Sequence, residues 1–432
     1  MSSEWYLEFV NEKYRPSETD IKVLFYYEPA KGISRKDAIG RIASESSSGT
    51  WTTLAETPAL LPKVKAYAYW NNRSYVKVAY PITCFERGSL PGLMSAIGGN
   101  IYGMKALKNL RLLDAELPEE YLKSFRGPTY GRGIIKRIFR RDSGPITAVV
   151  PKPKIGYTAE EHAKVGYSIW IGGIDCLKDD ENLTDQDFNR FEKRVRLVAK
   201  YRERAESETG EVKEAFLNVT APNLKELERR IKLVHDHGFR YFMLDVVVGG
   251  FTAVQTAADL AHDYRMAIHG HRAMHAMFTR NPRHGMSMLF LAKLMRLTGV
   301  DQLHIGTVVG KLAGEKKEVL ATNEAITQDE VREIPGLRMP QRWGRIKPML
   351  PVASGGLHPG LLPDLFRIYG TMDLILQLGG GTQGHPMGTE AGARAVTQAI
   401  EACREGLSLK EYAEKHKELK AALEKWGTTR PR

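Results

Sequence analysis

The run Lys178-Asp179-Asp180-Glu181-Asn182 concentrates more chemistry than any other five residues of the chain. Its carboxylates offer hard oxygen ligands of the kind Mg²⁺ prefers. Lys178 closes an apolar stretch and stands beside Asp180 and Glu181. An ammonium there would repel a cation. An amine that has combined with CO₂ is an anionic carbamate and adds a third oxygen ligand. A plain ion pair between Lys178 and the acids explains the same residues equally well, and the sequence leaves both readings open.

Other groups recur at comparable places. Ser354-Gly355-Gly356 and Gly379-Gly380-Gly381-Thr382 are loops whose backbone N–H groups could approach a phosphate closely. Arg272, with a planar fork of donors, and His304 could meet a second phosphate. Lys152 and Lys154 flank a proline, and Asn218 and Asp245 follow apolar runs. Gly306-Thr-Val-Val-Gly310-Lys311-Leu-Ala-Gly314 has the make-up of a closing flap with one lysine, or of an ordinary surface loop. His269-Gly270-His271 could be read as a zinc pair, though the carboxylates and glycines favour magnesium and phosphate. His275, four residues after His271, reads as a packed or capping histidine.

These residues need elements that bring them together. From about Gly144, short apolar runs alternate with amphipathic segments: 146–151, 174–178, 215–220, 241–248, 266–271, 302–307, 348–354 and 374–379. Each is too short for a buried helix and rich in strand-forming residues. Between them, Thr158 with Glu161 makes a capping-box pattern, and 224–237 carries Leu224, Leu227, Ile231 and Val234 at helical spacing before Gly238. A further helix is expected over 286–297, ending at Gly299. Eight strand–helix units predict a (β/α)₈ barrel, with an open doubly wound sheet as the alternative. Chemistry on a barrel sits at the C-terminal ends of the strands, where the residues above fall. Residues 1–129 read as a smaller mixed α/β domain, with a strand over 74–80, a helix over 90–97 and a loop at Ser46–Thr50; residues 130–432 form the barrel domain with C-terminal helices.

Composition agrees with an ordinary globular protein: 432 residues, 42% hydrophobic and 26% charged, with room for two domains. The net charge of +12 is scattered, its densest patch being Lys136, Arg137, Arg140 and Arg141. A nucleic-acid binder would need clustered basic and aromatic residues on one face, which the chain does not show. A basic site would help to capture a sugar bisphosphate of about −3 to −4. Cys84, Cys176 and Cys403 have no paired spacing, which argues against a disulfide framework. No apolar stretch is long enough to cross a bilayer, and Met1–Trp5 lacks a signal-peptide pattern, so a cytoplasmic enzyme is expected.

The motifs, in order, resemble those of the large subunit of ribulose-bisphosphate carboxylase/oxygenase (RuBisCO), in its archaeal form that works without a small subunit. The matching runs are Glu45 to Thr53 around Thr50 and Trp51, Gly99-Asn100, Lys152-Pro-Lys154, Gly173 to Asn182, His271-Arg272-Ala-Met-His275, His304 to Lys311, Ser354 to His358, and Gly379 to Pro386. The resemblance implies an Mg²⁺-dependent enolisation and carboxylation of ribulose 1,5-bisphosphate to two 3-phosphoglycerate, with oxygenation by O₂ as a side reaction and a link to disposal of nucleotide-derived ribose. Lys178 would carry the activating carbamate, bind Mg²⁺ with Asp180 and Glu181, and take the C3 proton. Lys152 would protonate a late intermediate, supported by Lys154, and His271 would handle protons near the C3 oxygen. Arg272 and His304 would hold one phosphate; Thr50, Trp51, Gly355, Gly379 and Gly380 would surround the other; Ser354 would hydrogen-bond the substrate. Lys311, oriented by Glu45, would close over CO₂, with Asn100 near the reacting oxygens. Glu45, Thr50, Trp51 and Asn100 would act on a partner subunit's barrel, making a homodimer, alone or in a ring of dimers, the smallest active unit. Val150-Pro151, Ile305 and Ala313 depart from the plant-type pattern and bear on gas preference and flap kinetics. A RuBisCO-like enolase or isomerase on the same fold is the nearest alternative, and a zinc amidohydrolase a more distant one.

Overall fold

A computed structural model describes residues 3–307, 309 and 316–428. Lys311 and most of its flap lie outside the described residues. The chain forms two compact units: one contains 1–127 together with 274–298 and 324–347, the other 128–273, 299–323 and 348–432.

The first unit is built on a five-stranded sheet. Ile21–Pro29 pairs antiparallel with Leu107–Glu116 on one side and Tyr75–Tyr80 on the other, and Tyr67–Asn71 completes that edge. At the opposite edge the short strand Gly285–Met286 runs parallel to Leu107–Glu116. Helix Arg35–Glu45 starts at Ser34, whose side chain accepts from the Asp37 amide, and the expected loop follows it. Leu90–Gly98 is helical, capped by Ser89. Helix Met288–Thr298 is buried along its whole length, and Lys293 within it reaches Asp114 Oδ1 at 2.8 Å.

The second unit is the predicted barrel. Its strands, in sequence order, are Ile146–Val149, Cys176–Lys178, Glu214–Phe216, Tyr241–Asp245, Ala267–His271, Gln302–His304, Leu350–Ser354 and Ile375–Leu378. All pairings within this sheet are parallel, and the eighth strand pairs with the first. The ring closes between the third and fourth strands, where Val219 N donates to Met243 O at 3.0 Å and Met243 N to Leu217 O at 2.8 Å. An open sheet is thereby excluded. Inward residues such as Ala148, Cys176, Phe216, Met243 and Val352 fill the interior, and Ile134, Ile135, Ile138 and Phe139 pack against them in one core.

Most strands are shorter than their apolar runs, and the surplus lies chiefly at the C-terminal end. Several of those residues still make one bond to the neighbouring strand, as Val150 N does to Leu378 O at 3.0 Å and Val246 N to His271 O at 2.9 Å. The capping box forms as expected: Glu161 N donates to Thr158 Oγ1 at 3.3 Å and Thr158 N to Glu161 Oε2 at 2.9 Å. Helix Leu224–Asp236 buries Leu227, Ile231 and Val234, each contributing about 1.5–3 kcal/mol by burial. Leu224 itself stays 41% exposed.

Candidate active site

Lys178 ends the second barrel strand and is only 2% exposed. Its Nζ donates to the carbonyl of Asp179 at 2.7 Å. The ion pair with the acids, one of the two readings of the sequence, is not formed: Asp180 Oδ2 lies 3.1 Å from Lys152 Nζ, and Glu181 Oε1 lies 2.7 Å from Lys154 Nζ. Burial pulls the Lys178 amine below its usual pKa, against the opposing pull of Glu181, Asp180, Asp245 and Asp179. Burial alone would raise Glu181, yet His271, Lys154 and Lys178 more than offset it and hold the carboxyl well below the usual range.

The acidic turn is anchored from behind by Asp179, which is fully buried. Its Oδ2 accepts from Arg194 Nε at 3.1 Å and from the Asn218 amide at 2.9 Å. His162 Nε2 lies 3.0 Å from Oδ1, too poorly aligned for a hydrogen bond. With Asp179 pointing inward, Lys178 and Asp180 on either side are set at the strand end. Asn218 reaches the carbonyls of Asp180 and Glu181 at 3.4 and 3.3 Å.

Lys152 follows the first strand. Gln383 clamps its backbone, accepting from the amide at 2.5 Å and donating to the carbonyl at 3.3 Å. A Cβ on Gly379 would stand 3.1 Å from Lys152 Cε, so glycine there gives the lysine room. Gly380 opens a single helical turn, Gly380–Gln383, and Gly355 follows Ser354 with φ +108°, a conformation that favours glycine.

His271 lies across the mouth, its Nδ1 3.1 Å from Asp245 Oδ1 and its Nε2 3.7 Å from Glu181 Oε2. Arg272 is pulled down to about 10 by burial and remains a cation at neutral pH. Deeper in, His304 is bonded at both ring nitrogens, to His269 Nε2 at 2.9 Å and to Ser354 Oγ at 2.8 Å. His269 is likewise engaged at both, with Gln302 and His304, so the His269–His271 zinc pair has no lone pair to give from His269. Among the described residues, no three His, Cys, Asp or Glu side chains gather as a metal cluster. Asp180 and Glu181 could hold a hard cation if one more oxygen were supplied beside them.

Lys152, Lys154, Lys178, Asp180, Glu181, His271, Arg272, His304, Ser354, Gly355, Gly379 and Gly380 thus all belong to the barrel unit. Glu45, at the end of its helix, Thr50, Trp51 and the exposed Asn100 belong to the first unit. Trp51 is 76% exposed. Gln383 lies within the matched run 379–386, but nothing there signalled its contact with Lys152, 231 residues away, and nothing signalled the anchor made by Asp179 and Arg194. Buried charge on a barrel helix (Arg194) is the one signal that could have pointed to the latter.

Two family models cover the chain: the N-terminal domain of the ribulose bisphosphate carboxylase large chain over 8–121 and its catalytic domain over 134–426. A ribulose bisphosphate carboxylase of Pyrococcus abyssi is 49% identical, covering 100% of this chain and 99% of the relative. That of Methanosarcina barkeri is 48% identical over 97% and 99%. Among solved structures, a dimeric archaeal Rubisco from Hyperthermus butylicus superposes with a TM-score of 0.94 at 50% identity, covering 98% of this chain and 100% of that one. An octameric Rubisco from Pyrococcus horikoshii, in complex with sulfate, gives 0.92 at 48% identity, covering 99% and 98%.

Proposed function

The chain belongs to the ribulose bisphosphate carboxylase large-chain family, and on that footing we propose that the mouth of its barrel enolises and carboxylates ribulose 1,5-bisphosphate. The products are two molecules of 3-phosphoglycerate, and O₂ competes with CO₂ for the same enediol. The observation that carries this reading is Lys178, a buried amine at a strand end with the carboxylates of Asp180 and Glu181 beside it but bonded to other lysines.

Burial favours the neutral amine, which is the form that attacks CO₂. The new N–C bond forms as one N–H proton leaves to solvent, and a neutral amine becomes an anionic carbamate. Asp180, Glu181 and the carbamate would then hold Mg²⁺, which when bound supplies Lewis-acid polarisation of substrate oxygens. The carbamate would take the C3 proton. Lys152 returns a proton at the end of the sequence, and Lys154 holds the oxygen side of the enediol. Asp245 orients His271 for proton handling at the C3 oxygen. Arg272 meets one phosphate with His304 beside it, and the backbone N–H groups at Gly355, Gly379 and Gly380 meet the other. Ser354 hydrogen-bonds the sugar chain. Lys311 closes over the incoming gas.

Glu45, Thr50, Trp51 and Asn100 are assigned to a partner's barrel, which makes a homodimer the smallest working unit. Relatives described as dimeric and as octameric support such assembly. Incubation with labelled CO₂, Mg²⁺ and ribulose bisphosphate should yield labelled 3-phosphoglycerate. Enolisation, seen as C3 proton exchange, without any labelled product would overturn the carboxylase reading in favour of an enolase.

A further inference from the structure

Below the mouth, four side chains on three neighbouring strands form one continuous chain of hydrogen bonds. Gln302 Nε2 lies 2.6 Å from His269 Nδ1. His269 Nε2 lies 2.9 Å from His304 Nε2, and His304 Nδ1 lies 2.8 Å from Ser354 Oγ. Gln302 and His269 are fully buried and His304 nearly so, while Ser354 is half-buried at its strand end. Gln302 and His269 are direct partners in the strand register, which holds the first link in place.

A neutral imidazole has one N–H and one bare nitrogen, so each link dictates the next. An amide NH₂ can only donate. His269 therefore accepts at Nδ1, carries its proton on Nε2, and donates to Nε2 of His304. That leaves the His304 proton on Nδ1, donating to Ser354 Oγ. Ser354 already accepts, and no other described residue takes its hydrogen, so the hydroxyl is left to donate.

Two features fix the direction of the chain. The Tyr241 hydroxyl approaches Gln302 Oε1 at 3.5 Å, and burial keeps that phenol protonated, so it faces the amide oxygen and turns the NH₂ towards His269. Burial also holds both histidines well below their usual pKa. A protonated His304 would donate at both nitrogens and drive the His269 proton onto Nδ1, against the Gln302 NH₂.

We propose that Gln302 is a positioning residue of this site: through the tautomers of His269 and His304 it makes Ser354 a hydrogen-bond donor to the bound sugar bisphosphate. The inference rests on the ribulose bisphosphate reading of the mouth. The oxygens of such a ligand are mostly acceptors, and a serine held as donor matches them.

The test combines a ligand-free and a kinetic measurement. Ring-¹⁵N-histidine spectra of the intact protein should show the proton on Nε2 of His269 and on Nδ1 of His304. Gln302→Glu puts an ionised acceptor where the donor was and should reverse both tautomers. Its KM for ribulose bisphosphate should rise roughly five- to tenfold, the loss of about one hydrogen bond, with a smaller change in kcat. Introduced into Ser354→Ala, the same change should leave KM where Ser354→Ala already put it. Gln302→Leu, which removes the donor without adding charge, should populate both tautomers and raise KM less, which guards against a misfolded glutamate variant. An Nε2–H tautomer of His304 in the unaltered protein would overturn the proposal. So would an equal KM penalty from Gln302→Glu with and without Ser354, because that would be a packing effect. Correct tautomers in a protein that never turns over ribulose bisphosphate would instead sink the carboxylase reading, and the ligand with it, while the relay stood.

Discussion

Replacing Asp179 by asparagine removes a charge and almost no volume, so it isolates what the buried anchor behind the acidic turn contributes. Both Asp179 and Arg194 have no exposed side chain, and Nε and Oδ2 are 3.1 Å apart. Coulomb's law at an effective dielectric constant of about 20 gives roughly 5 kcal/mol for that separation. Asparagine can keep its oxygen towards Arg194 Nε and the Asn218 amide, which returns about 1 kcal/mol as a neutral hydrogen bond. The Arg194 guanidinium also keeps its bonds to Asn189 and to the Thr184 carbonyl. The expected loss is therefore about 3–4 kcal/mol, within the range for breaking a buried pair by removing one partner. Denaturant unfolding at fixed protein concentration measures it. The pH dependence has a definite sign. Burial raises the Asp179 pKa, but Arg194 and His162 more than offset this and the net shift is downward. A lowered carboxyl contributes its stability in full above the unfolded value, near 3.9, and loses it as pH falls through the folded value. The deficit of Asp179→Asn should then be constant from pH 8 to 5 and shrink only below about 4. An asparagine variant as stable as the parent would refute the argument. A deficit that already changes between pH 8 and 5 would assign the effect to another group.

Lys178→Arg keeps a cation but cannot carry the proposed carbamate, so it should show no ¹⁴CO₂ incorporation into 3-phosphoglycerate, while the parent should activate faster on preincubation with CO₂ and Mg²⁺ at alkaline pH. Wild-type carboxylation by that variant would end the carbamate reading. Glu45→Gln and Lys178→Ala, each inactive alone, should regain activity when mixed and reassembled, since one site of each hybrid would hold both original residues; persistent inactivity of proven hybrids would mean that each chain builds its own site.

The barrel was legible because each buried strand had to be an apolar run and most runs ended near a residue able to do chemistry. Periodicity could not say where the ladder stops. Apolar content continues through Val219 and Val246, where the continuous ladder gives way to single bonds to Met243 O and His271 O on the neighbouring strands. The acidic motif was legible as a cluster, whereas its internal pairing was not: Lys178 is next to the acids in sequence, yet Lys152 and Lys154 bond them, because burial points the Lys178 amine at a carbonyl. Gln302 gave no signal either. An amide on a strand reads as ordinary until the register sets it beside a histidine. The single unit formed by 1–127, 274–298 and 324–347 was equally hidden, since more than a hundred residues separate its first piece from the other two.

That discontinuity gives the ribosome a scheduling problem. When Leu107–Glu116 emerges, its outer edge has no neighbour, and Asp114 has neither the Lys293 ammonium nor the Met339 amide that meets its other oxygen at 2.8 Å. Leu117 likewise waits for Gln341, which bonds both its amide and its carbonyl at 2.9 Å. About half the chain must be synthesised after this strand before its last partners arrive. Domains that fold as units during synthesis usually finish from the N-terminus onward. Here the first-made sheet must be completed late, and an exposed strand edge in the interval is an invitation to pair with another nascent chain. The length of that interval is set by where Lys293 and Gln341 fall in the sequence.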